Sequence, residues 1–246
     1  MKIGIADFGM NVWYGACYNY EDRLSDVKKI GYDGLERLQP ISAEDALDKA
    51  AELKRRGMDF ATCRAPSFEA SIKWTAALGK KYIWIDLDGT SDEEYYRRTN
   101  YLADACEAYG LKAILHNHLG SRVETQEQLE RFLQNCPKAG LVFDTGHLAG
   151  AYGNPLEITE KYLDRIVSLH VKDFVYKDRN NSTWYERLRF CGLGKGEMGD
   201  VNAEVVNYLI KNGYDAWVLV EHDTHLQDPL KDLEESRIYL REKCGI

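Results

Sequence analysis

The sequence predicts an α/β chain folded as a single (β/α)8 barrel, a TIM barrel. Three observations carry this. Eight short apolar runs recur along the 246 residues, most followed by a polar loop and an amphipathic stretch. No composition break or Pro/Ser-rich linker divides the chain, so 1–246 reads as one domain. No G-x-G-x-x-G follows the first run, which disfavours an open dinucleotide-binding sheet. Alternating strands and helices build a parallel sheet with right-handed crossovers, and eight strands are the number that closes into a barrel.

In order, Lys2–Ala6 is the first strand and Glu21–Ile30 the first helix. Gly34–Leu38 precedes a helix at Ala43–Arg56, whose basic end is Lys54-Arg55-Arg56. Phe60–Cys63 leads to Phe68–Leu78, and Tyr82–Leu87 to Asp92–Tyr109. Ala113–His116 is followed by Gln126–Gln134, where Leu129, Phe132 and Leu133 repeat at the spacing of one helix face. Leu141–Asp144 precedes Pro155–Leu163, Ile166–Val171 precedes Asn202–Asn212, and Trp217–Glu221 precedes Leu230–Lys243. Ser42, Ser91 and Thr125 are expected N-caps, since a hydroxyl can accept from an unpaired first-turn amide. Gly31, Gly57, Gly79, Gly110, Gly140 and Gly213 are expected to close helices, because glycine tolerates the left-handed conformation there. Phe174–Val201 is the longest irregular segment, read as a loop over the barrel mouth.

The net charge is −8 with scattered cations, which argues against a nucleic-acid partner. No apolar run approaches the ~18 residues of a membrane span. The N-terminal MKIGIADFGM turns polar too soon for a signal peptide. Six widely spaced cysteines form no C-x-x-C pair, and reduced thiols in a cytoplasmic protein are expected. Gly192-x-Gly194-x-Gly196 lacks the strand and helix of a nucleotide site and reads as loop flexibility.

All six histidines lie at or just past a strand end, in ILHNHLGS, VFDTGHLAG, SLHVKDF and LVEHDTH. In such barrels the C-terminal strand ends form the active site. Side chains alternate along a strand, so one inward group from each of strands 5 to 8 should converge: His116, Asp144, His170 and Glu221. Two imidazoles and two carboxylates suit Mn²⁺ or Co²⁺, with Zn²⁺, Fe²⁺ or Mg²⁺ as further possibilities. Such a set leaves coordination positions open and reads as catalytic. For His116 alone the other reading is a core histidine, and for Asp144 a cap of the turn at Thr145-Gly146. His118, His147, Lys172 and Asp173 flank these ligands as candidate substrate-binding, supporting or structural groups. His222 and His225 read as rim residues. Glu36 ends strand 2 at the same mouth. Trp13 is a candidate for stacking on a sugar ring or for packing. Arg64 can bind an anion or pair with Glu36.

These strings resemble the xylose-isomerase-like superfamily of sugar isomerases and epimerases, which includes endonuclease IV. The resemblance is strongest from Leu115 to Asp223 and nearest in pattern to the inosose (2-keto-myo-inositol) dehydratases, through LHNHLGS, FDTGHLAGAYGNP, LHVKD, GLGKGEMGDVN and WVLVEHD. It implies a divalent-metal enzyme acting on a keto-sugar or keto-inositol through an enediolate. The epimerase branch implies Glu, Asp, His and Glu as ligands on strands 5 to 8. Here the strand 5 position is His116, so a dehydratase (lyase) or a differently wired isomerase fits better than a symmetric two-carboxylate epimerase. The dehydratase is favoured, with a ketose isomerase or 3-epimerase as the alternative. The implied proton-transfer groups are Glu221 or His118 as base and His147 or Lys172 as acid, with Lys172 also available to stabilise negative charge. Homodimers or homotetramers are common in the superfamily. The remaining alternatives are a non-catalytic sugar-binding subunit and an endonuclease IV-like repair enzyme.

Overall fold

The computed structural model describes residues 1–6, 10, 13–15, 17–89 and 91–246. Its frame is eight parallel strands with helices between them. They are β1 (Lys2–Ile5), β2 (Gly34–Leu38), β3 (Asp59–Cys63), β4 (Tyr82–Trp84), β5 (Lys112–His116), β6 (Gly140–Asp144), β7 (Ile166–Val171) and a last strand, Trp217–Val220, labelled β10 below. The sheet order runs β3-β2-β1-β10-β7-β6-β5-β4, so the sheet curls into a barrel with one seam, between β3 and β4. β4 is only three residues long, and a side chain bridges the seam: Thr62 Oγ1 donates to the Tyr82 carbonyl at 2.6 Å. Thr62→Val should strand that buried carbonyl and cost about 1–3 kcal/mol, measurable by urea denaturation.

The helices are α1 (Tyr20–Ile30), α2 (Ala43–Arg55), α3 (Phe68–Ala77), α4 (Asp92–Glu107), α5 (Gln126–Asn135), α6 (Thr145–Gly150), α7 (Pro155–Lys161), α8 (Trp184–Arg187), α9 (Val201–Lys211) and α10 (Pro229–Cys244). The expected caps are present. Ser42 and Ser91 accept from Asp45 and Glu94 amides, and Thr125 forms a reciprocal capping box with Gln128. Gly140 departs from the expectation: it lies inside β6, where a Cβ would press on Val167 and Ile114.

The 174–201 segment also departs from expectation, because it is structured. Asp173–Tyr176 (β8) pairs antiparallel with Leu188–Cys191 (β9), and α8 lies between them. Phe174, Leu188, Phe190, Met198 and Leu119 form a small apolar cluster of their own. The glycine triplet is packed and not simply a flexible tract. A Cβ on Gly196 would fall 2.2 Å from the Phe174 carbonyl oxygen, so glycine there permits close backbone approach.

Strand alternation sets the layers. Leu115, Phe143, Leu169, Val218 and Val220 face the helices in the main core, whereas Ile114 and Val142 fill the barrel interior with Tyr82 and Ala61. Two residues further along β5 and β6, the interior positions become His116 and Asp144. No helix among the described residues is long and apolar enough to cross a membrane.

Candidate metal centre and proton-transfer cluster

His116, Asp144, His170 and Glu221 meet at the mouth, with one ligand atom from each inside a 4.8 Å span. His116 Nε2 lies 3.2 Å from Asp144 Oδ2. His170 Nδ1 lies 2.8 Å from Glu221 Oε2 and 3.6 Å from Asp144 Oδ2. The ladder explains the convergence, since Asp144 pairs in register with His170, and His170 with Leu219, two residues before Glu221.

Asp144 serves two purposes. Its Oδ1 caps α6 by accepting the His147 amide at 2.7 Å, and its Oδ2 faces the cluster. Its backbone is clamped by Asn117, which donates to the Asp144 carbonyl and accepts its amide at 2.9 and 2.8 Å. The two readings of Asp144, cap and cluster member, therefore coexist.

Glu36 joins from β2. Its Oε1 lies 3.1 Å from His170 Nε2 and accepts Trp84 Nε1–H at 3.0 Å. Its other oxygen lies 3.7 Å from Arg37 Nε. The His170 ring thus has a carboxylate at each nitrogen. Burial would lower its pKa, but Glu36 and Glu221 raise it well above the ordinary value. His116 is the opposite case: burial pulls it down to about 3, so it is a neutral donor at neutral pH. Burial alone would raise Asp144 and Glu221, yet Lys172 and the surrounding histidines together outweigh it, and both carboxyls stay ionised well below their usual range.

A second cluster abuts the first. His118, His147 and Asp223 bring their ligand atoms together in a similar span. Lys172, fully buried, lies between the two groups. Its Nζ is 2.6 Å from His147 Nε2, 2.8 Å from Asp223 Oδ2, 3.0 Å from Glu221 Oε2 and 3.3 Å from Asp144 Oδ2. Burial disfavours the ammonium, but these carboxylates reverse that and raise its pKa. His147 is pushed down by burial and by Lys172, so it stays neutral. Burial also lowers His118, yet its Asp223 partner raises the net value. His118 Nδ1 lies 2.6 Å from the Leu119 carbonyl, which fixes that nitrogen as the donor.

Packing holds Lys172 in place. Asn202 Nδ2 donates to the Lys172 carbonyl at 2.7 Å, and Asn202 Oδ1 accepts from Thr145 Oγ1 at 2.6 Å. A Cβ on Gly146 would fall 2.3 Å from Lys172 Cβ, so the Gly of DTGH lets α6 press against the lysine. Gly146→Ala should cost about 1–3 kcal/mol by overpacking and lower kcat through the displaced ammonium. Chemical denaturation beside steady-state kinetics checks both.

Other sequence candidates stand apart from the clusters. The Asp173 carboxylate, buried and with a raised pKa, accepts from the Phe174, Gly196 and Met198 amides at 2.8–3.0 Å. It holds the hairpin loop and does not face the mouth. Arg64 pairs with Asp86, not Glu36, beside a cavity of about 200 Å³ that Trp84 also lines. Trp13 is half-exposed and edge-on to His225 at 5.9 Å. His222 and His225 are not rim residues. Their side chains pack under α10 against Ser236 and Asp232, and burial lowers His222 to about 4.

Sequence reasoning missed Asn117, Asp223, Asn202 and the aromatic wall of Trp184 and Phe190, which lie 5.8 Å from His118 and 5.3 Å from His147 by ring centroids. Asn117 and Asp223 sit inside the H-N-H and E-H-D strings already singled out, so adjacency was the available signal. Nothing local marks Trp184.

Residues 24–243 match the family described as xylose isomerase-like TIM barrel. The chain belongs to that family. An inosose dehydratase of Clostridium botulinum is 32% identical, across 100% of this chain and 98% of the relative. A D-tagatose 3-epimerase-like protein superposes with a TM-score of 0.72 at 18% identity, covering 100% of this chain and 97% of the other. The IolI protein, solved with a bound zinc atom, superposes at 0.70 and 18% identity, covering 100% and 98%.

Proposed function

We propose that this chain is a divalent-metal-dependent lyase that eliminates water from a keto-inositol or related keto-sugar. The single observation that carries the reading is the pairing of a four-donor centre with a proton-rich cluster around Lys172. The likeness to an inosose dehydratase over the full length supports the substrate class.

The donor set suits a cation. Two carboxylates held ionised, one neutral imidazole, and a second imidazole wedged between carboxylates form a pocket that attracts positive charge. His116, Asp144, His170 and Glu221 would hold the ion, and Glu36 beside His170 Nε2 would orient that ring from behind. Mixed N and O donors suit Mn²⁺, Co²⁺, Zn²⁺ or Fe²⁺. When bound, the ion supplies Lewis acidity that polarises the substrate carbonyl.

The chain's own groups divide the remaining work. Glu221, ionised, is the base that removes the proton from the carbon beside the carbonyl. Lys172, fixed and charged, faces the negative charge that develops on oxygen. The freed electron pair forms the carbon–carbon double bond as the β-carbon–hydroxyl bond breaks. His118, whose pKa lies above the ordinary value, delivers its proton to the departing hydroxyl, which leaves as water. His147 positions Lys172, and Trp184 and Phe190 wall the cluster from solvent. Carboxylates on both faces of the substrate would suit reversible epimerisation, but His116 stands on β5 and makes the site asymmetric. The six free cysteines fit a cytoplasmic enzyme.

Incubating metal-loaded protein with a keto-inositol in D2O tests the reading. Loss of one water with a new conjugated-carbonyl absorbance is the expected result. Deuterium uptake with no loss of water would make it an isomerase or epimerase.

A further inference from the structure

We propose that Lys172 occupies the place of a second metal ion, and that His118, His147 and Asp223 form a latent divalent-cation site which this lysine keeps closed. The inference rests on the metal reading of the neighbouring four-donor centre and concerns how many ions the mouth accepts.

The first argument is the shell around the ammonium. Four acceptors lie within 3.3 Å of Lys172 Nζ: His147 Nε2, Asp223 Oδ2, Glu221 Oε2 and Asp144 Oδ2. An ammonium has three N–H bonds and no acceptor, so more acceptors point at it than it has hydrogens to give. An imidazole nitrogen and carboxylate oxygens converging on one point are the donor types a divalent ion takes.

The second argument is the state of the imidazoles. Lys172 can only donate, so His147 Nε2 must present its lone pair toward the ammonium. His118 Nδ1 faces the Leu119 carbonyl, which leaves Nε2 toward Asp223, 3.9 Å from Oδ1. Both rings are thus turned as ligands would be, with a cation already in front of one of them. Two of these acceptors, Glu221 and Asp144, are shared with the four-donor centre, so a second ion would sit beside the first.

The third argument is charge. Among the described residues, four buried carboxylates face this region: Glu36, Asp144, Glu221 and Asp223. One divalent ion, Lys172 and Arg37 at Glu36 balance them, and nothing is left to neutralise a second divalent ion. Removing Lys172 leaves buried negative charge uncompensated, which is costly, and frees the acceptors that would hold a replacement.

The test is ion stoichiometry by elemental analysis after equilibration with Mn²⁺ and removal of free metal. Near-UV circular dichroism verifies folding. Wild type is expected to hold one ion and Lys172→Ala two. Lys172→Arg, which keeps the charge, and Lys172→Ala/Asp223→Asn, which removes a ligand, are expected to return to one. Should Lys172→Ala fail to fold, Lys172→Gln takes its place, and the Mn²⁺ EPR spectrum of wild type at excess metal is read as well. An uncoupled six-line signal from a single bound ion supports the proposal, and a spin-coupled pair overturns it. One ion in folded Lys172→Ala, or two in wild type, overturns this inference and leaves the four-donor centre standing. No ion in either protein overturns the metal reading and this inference with it.

Discussion

His170→Ala is expected to lose the bound ion and with it roughly 10³-fold or more in kcat/KM. The substitution removes the imidazole wedged between Glu36 at 3.1 Å and Glu221 at 2.8 Å. Carbonyl polarisation by a metal contributes several kcal/mol of transition-state stabilisation, and each 1.36 kcal/mol is about tenfold in rate. Two carboxylates are left buried without the ring between them, so stability should fall as well. Elemental analysis, kinetics and thermal melting read the three consequences. Wild-type turnover in a folded, metal-free His170→Ala protein would sink the assignment of the ion to catalysis.

Lys172→Met carries the second large effect. Losing a fixed charge aimed at a developing oxyanion typically costs about 10²–10³ in kcat. Breaking a buried ion pair costs about 3–5 kcal/mol, and here the ammonium serves Asp144, Glu221 and Asp223 together. The expected signature is a fall in kcat with little change in KM, because the interaction strengthens in the transition state. Arginine keeps the charge at these carboxylates but spreads it over a planar guanidinium, so Lys172→Arg is expected to restore kcat only in part. A variant with unchanged kcat would remove Lys172 from the chemistry.

Most of the fold was legible because the barrel repeats one instruction eight times. Each strand is a short apolar run and most helices carry a capping residue, so Ser42, Ser91 and Thr125 marked their helix starts correctly. The convergence of the four candidate ligands was legible for the same reason: strand alternation and the order of β5, β6, β7 and β10 place His116, Asp144, His170 and Glu221 on one inner face. The hairpin at Asp173–Cys191 was not legible, because its strands are four residues each and owe their pairing to the cluster of Phe174, Phe190 and Leu119. Asp173 was misplaced for a related reason. Its neighbour Lys172 points into the mouth, and alternation alone sends Asp173 the other way, toward the loop amides it holds. His222 and His225 read as rim because their place just past a strand end does not show that α10, the next helix, folds back over them. The partnership of Lys172 with Asp223 spans 51 residues and leaves no local trace.

The most direct check is an anomalous difference map from crystals equilibrated with Mn²⁺. A single strong peak enclosed by His116 Nε2, Asp144 Oδ2, His170 Nδ1 and Glu221 Oε2 is the predicted result. A saturated crystal with no peak there, or with manganese only at sites remote from these four atoms, would contradict it.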